Sequence, residues 1–275
     1  MSSSDSSRAL QLAGRIITAR RDRRCLSGDD PENVVSTHLA YDVQSHVVAA
    51  RADEGRAPSG WKLGYTSAVM REQMGIAEPN LGPLAAHMLL APDGAIPETV
   101  MQPRVEPEIA LVLGEDVPVD IAPSISAHDI RAYVSSAHAA LEVVDSVWCG
   151  YRFTWAQNTA DASSAAFVVI GPEVPLDGLS ELPGVLERNG EWMGSGQGSA
   201  AMGDPFAALA WLAGRLAERG DGLRAGQVVI TGGMTAAVPL EPGDVVSARI
   251  GSVRVATHRR PVTGDPTADS AILVP

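Results

Sequence analysis

Lys62 is the only lysine among 21 basic residues. An arginine keeps its proton at any physiological pH. A lysine ammonium can be shifted by burial or by neighbouring charge until it exchanges a proton or forms a Schiff base. The residue lies in Gly60-Trp61-Lys62-Leu63-Gly64-Tyr65-Thr66-Ser67, where glycines let backbone approach a ligand closely. On composition alone, a surface lysine retained by chance explains it equally well.

Three carboxylates form a second set. In Arg104-Val105-Glu106-Pro107-Glu108-Ile109-Ala110-Leu111-Val112-Leu113, strand alternation puts Glu106 and Glu108 on one face and Ile109, Leu111 and Leu113 on the other. Two adjacent acids repel unless a cation holds them. Oxygen ligands of this kind suit Mg²⁺, Mn²⁺ or Ca²⁺ better than tetrahedral zinc. Pro107 between them asks for an edge or a bulge. Taken alone, Glu-x-Glu is more often a solvated pair. Glu142, on the short apolar stretch Leu141-Glu142-Val143-Val144, could complete a three-carboxylate set, or could cap a strand end. Thr231-Gly232-Gly233 follows an apolar run and reads as either an anion-binding nest or a tight turn. The six histidines show no metal or triad spacing, and Gly194-Ser195-Gly196-Gln197-Gly198 reads as a loop.

The elements that must position these residues are legible in part. Residues 1–7 are polar and expected to lie outside the ordered fold. Apolar periodicity predicts helices over residues 9–21 and 35–52, then a short strand carrying Lys62 and a helix over 68–76. Pro79-Asn80-Leu81-Gly82-Pro83 reads as a break. Further on, strands are expected at 87–91, 105–113, 141–146, 165–170, 185–188, 227–231 and 245–250, and a helix at 127–140. Asp204-Pro205 opens another helix that runs to Gly220. Many strands without regular βα alternation predict an α+β fold. A mixed-β core (residues 71–275) would follow an N-terminal helical unit (residues 1–70).

The net charge of −12 argues against nucleic acid and anionic membranes as partners. No apolar run is long enough to span a bilayer, and the Ser- and Arg-rich start is unlike a secretory signal. Cys25 and Cys149 have no metal or CxxC spacing. A disulfide is not expected from them, which makes a reducing cytoplasm the default.

Together these segments resemble the fumarylacetoacetate hydrolase superfamily, in the branch of the 2-keto-4-pentenoate hydratases and 4-oxalocrotonate decarboxylases. The resemblance spans roughly residues 40–255. It is carried by residues 60–67, Gln73-Met74-Gly75-Ile76, Glu106-Pro107-Glu108, residues 141–146, 194–198 and 205–212, Thr231-Gly232-Gly233-Met234-Thr235-Ala236-Ala237-Val238-Pro239 and Pro242-Gly243-Asp244. It implies a β-roll core and a divalent metal, Mg²⁺ or Mn²⁺, on Glu106, Glu108 and Glu142. Lys62 and the residue at position 80 would be catalytic. Ser67, Ser163, Ser164, Thr231 and Gly232 would contact a small 2-oxo acid, and the protein would be a homo-oligomer.

Three departures bear on the reaction. Asn80 stands where the family usually has a titratable Asp. Val147 follows Asp145-Ser146 in place of Arg. Ala162 replaces an Asn in Ala160-Asp161-Ala162-Ser163-Ser164. The leading expectation is hydration of a 2-hydroxydienoic acid, with decarboxylation of a vinylogous 2-oxo diacid as the alternative. Decarboxylation needs an electron sink more than a base, so Asn80 harms it less. Hydrolytic C–C cleavage fits less well, for want of a Glu–His pair near the N-terminal helices. A catalytically poor structural partner of a pathway enzyme is the reading from another class.

Overall fold

Two long apolar segments pair to make the centre of the molecule, and everything else is arranged around them. The computed structural model describes residues 3–51 and 58–261. In chain order the elements are α1 (Ser3–Arg21), α2 (Ala40–Arg51), β1 (Gly60–Gly64), α3 (Ala68–Met74), β2 (Asn80–Leu84), β3 (Leu89–Leu90), β4 (Ala95–Ile96) and β5 (Arg104–Leu113). They continue with α4 (Ala127–Ile130), β6 (Val134–Val144), α5 (Trp155–Ala160), β7 (Ala165–Val174), β8 (Pro183–Arg188), β9 (Glu191–Gln197) and α6 (Pro205–Ala217). The last are β10 (Val228–Ile230), β11 (Val238–Pro239), β12 (Val245–Ile250) and β13 (Val253–Arg259). One sheet runs β2-β1-β10-β5-β6-β7-β3, with β11 against β5, and a second runs β4-β13-β12-β8-β9. The α+β, mixed-sheet architecture with leading helices matches the expected fold class.

Between the sheets lies the main core, with Ile109, Leu111, Leu141, Leu186, Val246 and Val255 among its buried members. A second apolar cluster joins α1, α2 and α5 to Val147 and Trp148. The strand β1, which carries Lys62, lies within the large sheet, parallel to β10 and antiparallel to β2.

Several expectations need correction. The helix expected over 127–140 stops after four residues, N-capped by Ser126, and β6 begins at Val134. Its alanines favour a helix locally, but pairing with β5 and β7 overrides that preference. The break at 79–83 is strand β2. Pro83 is tolerated there because β2 is the sheet edge, where a missing N–H costs no ladder bond. Residues 194–198 lie mostly on β9. A side chain at Gly196 would come within 1.8 Å of the Met234 carbonyl oxygen, so this glycine serves close backbone approach. The polar start is helical from Ser3 onward, while Ala52 lies outside the described residues.

Cys25 and Cys149 form a disulfide, contrary to expectation. A bridge between Leu26 and Trp148 brings the two segments side by side. That contact spans 124 positions and leaves no mark in local sequence. Among the described residues no helix is long and apolar enough to cross a membrane.

Candidate active site

Strand register assembles the acids. Glu106 on β5 sits directly across from Glu142 on β6, and Glu108 faces Ala140. All three carboxylates therefore share one face, and one oxygen from each lies within 4.8 Å of the others. Ala110 and Ala140, on that same face, pack in a small apolar cluster with Leu84, Val168 and Ile230. Glu108 and Glu142 are fully buried.

The three acids lack enough donors. Glu108 Oε2 accepts a 2.7 Å hydrogen bond from the Gly232 N–H. Glu108 Oε1 and Glu142 Oε2 are buried with no hydrogen-bond partner. Lys62 Nζ lies 3.2 Å from Glu142 Oε1 as an ion pair. Buried carboxylate oxygens without partners are costly. A divalent cation bound by oxygen ligands would satisfy them. Burial, then the charge of Glu142, pushes Glu106 up to about 8. Burial, then Glu142 and Glu106, raises Glu108 well above the carboxylate range.

Lys62 reaches this cluster from β1. Its Nζ donates to the Ser163 carbonyl (3.0 Å) and lies 3.3 Å from Ser163 Oγ. Burial alone would lower its pKa, but Glu142, Glu106 and Glu108 together hold it above the usual lysine value. Lys62 is thus an enclosed ammonium.

The loop that meets Lys62 has an unusual backbone. Ala162, Ser163 and Ser164 are consecutive non-glycine residues with φ of 53°, 56° and 56°. Each left-handed residue costs about 1–2 kcal/mol, so the surroundings must hold this turn. Asp161 precedes it, fully buried, with its carboxylate gripped by Arg20 of α1 and by the Val147 N–H. The Ser164 carbonyl accepts from the Asp145 N–H. Ser163 Oγ donates to Asn80 Oδ1 at 2.8 Å, and Asn80 Nδ2 donates to Asn158 Oδ1 and Thr159 Oγ1. Asn158 in turn donates to Ser164 Oγ.

A cavity of about 550 Å³ opens over this site, lined by Lys62, Glu106, Ser67, Ser163 and Ser164 among others. Ser67 also caps α3. Three expected residues stand behind the wall. Asn80 is enclosed and touches Ser163. The Thr231 hydroxyl bonds the Ile109 carbonyl. Gly232 spends its N–H on Glu108. Sequence reasoning missed Asn158, Tyr151 and the Arg20–Asp161 brace. No spacing signals them, because each acts through a contact distant in sequence.

Two glycines stand where a side chain would crowd the site. A Cβ at Gly233 would lie 2.2 Å from Glu106 Oε2, and one at Gly64 would lie 2.3 Å from Asn80 Oδ1.

Comparison with known proteins bears on this geometry. The model of the fumarylacetoacetate (FAA) hydrolase C-terminal family matches residues 65–262. A 2-keto-4-pentenoate hydratase of Burkholderia vietnamiensis is 35% identical over 254 residues, covering 90% of this chain and 93% of that protein. A 4-oxalocrotonate decarboxylase of Pseudomonas putida is 34% identical over 255 residues, covering 89% and 94%. Among solved structures, the 4-oxalocrotonate decarboxylase from Pseudomonas putida G7, complexed with magnesium and adipate, superposes with a TM-score of 0.85. It is 30% identical, with 92% of this chain and 97% of that one covered.

Proposed function

Within the fumarylacetoacetate hydrolase family, to which this chain belongs, we propose that it is a divalent-metal-dependent lyase of the hydratase type. Its substrate would be a small 2-oxo or 2-hydroxydienoic acid. The observation that carries the reading is the group of three carboxylates on one sheet face, with unpaired buried oxygens beside an enclosed ammonium. Glu106, Glu108 and Glu142 would hold Mg²⁺ or Mn²⁺. Such an ion supplies a Lewis acid for the carboxylate and C2 oxygen of a 2-oxo acid.

The rest of the work falls to this chain's own groups. Lys62, protonated and surrounded by acceptors, would give a proton to the substrate or orient a water. Ser163, held by Asn80 on one side and the left-handed turn on the other, fixes where the Lys62 ammonium points. Ser67 and Ser164 present hydroxyls to the cavity. Asn80 would act by orienting Ser163. Thr231 and Gly232 would support Glu108 and the strand end beneath the substrate.

Decarboxylation of a vinylogous 2-oxo diacid is the second reading. It is favoured by Asn80, an amide that cannot serve as a base, and by the likeness to the decarboxylase from Pseudomonas putida G7. Parallel assays with Mg²⁺ separate the two. Consumption of 2-hydroxypenta-2,4-dienoate supports hydration, and release of CO₂ from 2-oxohex-3-enedioate supports decarboxylation. Turnover of neither by the metal-loaded chain would leave a structural partner of a neighbouring enzyme. We further propose a homo-oligomer, to be tested by sedimentation, and a division into residues 1–70 and 71–275 in which β1 of the first unit joins the sheet of the second and brings Lys62 to the acids. We also propose a cytoplasmic site of action, where the Cys25–Cys149 disulfide would have to persist against a reducing thiol pool. Thiol counting in cell extracts tests it.

A further inference from the structure

We propose that Arg104 is the cation that receives a carboxylate of the substrate, with Tyr151 as the plate that holds its guanidinium edge-on to the cavity. The inference rests on the 2-oxo acid reading above. Arg104 lies on the same face of β5 as Glu106 and Glu108, one alternation outward, or about 7 Å along the strand. It lines the cavity together with Tyr151 and Glu106.

Of the two cations that line the cavity, Lys62 is paired with Glu142 and Arg104 has no anion. Arg15, Arg20, Arg131, Arg152 and Arg215 each pair with an acid. Among the described residues no carboxylate lies within ion-pair distance of Arg104. Its guanidinium carbon instead sits 4.2 Å from the centroid of the Tyr151 ring. Stacking of this kind occupies the face of the guanidinium and leaves its N–H edge open for a planar, two-pronged acceptor.

Tyr151 is fixed for that role. Its hydroxyl lies 3.0 Å from both the Gln102 and Val144 carbonyls. It follows the disulfide residue Cys149 by two positions, on a turn where Gly150 and Tyr151 both have positive φ. Charge balance points the same way. With a divalent cation bound, three ionised carboxylates, Lys62 and the cation would balance to zero charge. The Arg104 charge then remains unmatched in the cavity, and a substrate carboxylate matches it.

Titration calorimetry with 2-oxohexanoate and 2-oxoadipate tests this in the presence of Mg²⁺. The two acids share a head and a chain length and differ only in the far carboxylate. Arg104→Gln and Arg104→Lys are compared with the parent after a check of melting temperature and Mg²⁺ affinity. Arg104→Gln should weaken binding by about 10- to 100-fold, the scale of a hydrogen bond to a charged group. Arg104→Lys, which keeps the charge without the fork, should fall between. Loss on both acids places Arg104 at the head carboxylate, and loss on 2-oxoadipate alone places it at the far one. Parent-like affinity of Arg104→Gln for both acids overturns the proposal. Should that variant fail to fold, parent-like affinity of Arg104→Lys overturns it instead. Repeating the parent titration with EDTA separates this idea from its premise. Acid binding indifferent to Mg²⁺ removes the metal reading and leaves Arg104 standing, whereas a parent that binds neither acid removes both.

Discussion

Gly233→Ala is the sharpest probe of the acid cluster, because it moves one carboxylate without removing any charge. The new Cβ would stand 2.2 Å from Glu106 Oε2 and 2.8 Å from its carboxyl carbon. Carbon–oxygen contact needs well over 3 Å, so the carboxylate must shift by roughly 1 Å. The two nearest atoms belong to the end of a flexible side chain, the Thr235 carbonyl oxygen follows at 3.1 Å and needs only a few tenths of an ångström of give, and φ at Gly233 lies outside the left-handed region. The displaced Glu106 therefore yields before the backbone does, and the melting temperature of the metal-free protein should change little. Metal sites tolerate ligand errors of only about 0.2 Å, so a 1 Å shift acts much like loss of a supporting contact. Mg²⁺ or Mn²⁺ affinity should fall by about 10- to 100-fold, with turnover falling alongside at fixed metal. Isothermal titration of the metal into the EDTA-stripped variant measures it. Parent affinity in a folded Gly233→Ala protein would mean that Glu106 is not a ligand.

Other expectations follow from the same geometry. Glu106 has a folded-state pKa of about 8 against an ordinary 4.5, so the folded protein holds a proton that the unfolded chain releases. Metal-free stability should thus be highest near pH 4.5 and decline as pH rises toward 8. The gain from Mg²⁺, which needs the ionised carboxylates, should grow over that same window in melting scans. Lys62→Arg and Lys62→Met should both keep metal binding and lose turnover by roughly 10²-fold or more if Lys62 handles a proton. An active Lys62→Arg with an inactive Lys62→Met would reduce its role to charge. Cys149→Ser should cost about 2–4 kcal/mol and lower the melting temperature by roughly 5–15 °C, and a thermal scan with and without reductant checks that the parent shows the same loss.

Local pattern carried much of this molecule. Strand alternation alone placed Glu106 and Glu108 on one face and Ile109, Leu111 and Leu113 in the core, as the burial of β5 bears out. The Asp204-Pro205 start of α6 was readable because capping is decided within three residues, and the Asp204 carboxylate does accept from the Phe206 N–H. What local pattern could not supply was register. That Glu142 meets Glu106 and not Glu108 depends on how β6 slides along β5. The alanines of β6 made residues 127–140 look helical. Close approach was misread for the same reason. Glycine at 196 suggested a loop because its cause, the Met234 backbone crossing β9, lies far away in sequence.

The departure at position 80 shows how far such reading reaches. From sequence, an amide in place of an acid looks like the loss of a proton carrier. In the fold, both Asn80 protons are used, one on Asn158 Oδ1 and one on Thr159 Oγ1, while its oxygen takes the Ser163 proton. An ionised Asp there could keep the last bond and accept from the Thr159 hydroxyl, but it could not donate to Asn158. It would leave the Asn158 oxygen without a donor and add a buried negative charge near three others. The same network anchors the left-handed turn from one side, and Arg20 anchors it from the other through Asp161. The N-terminal helix therefore bears on the chemistry through a chain of contacts. It runs from Arg20 to Asp161, through the strained turn to Ser163, and from Ser163 to the ammonium of Lys62.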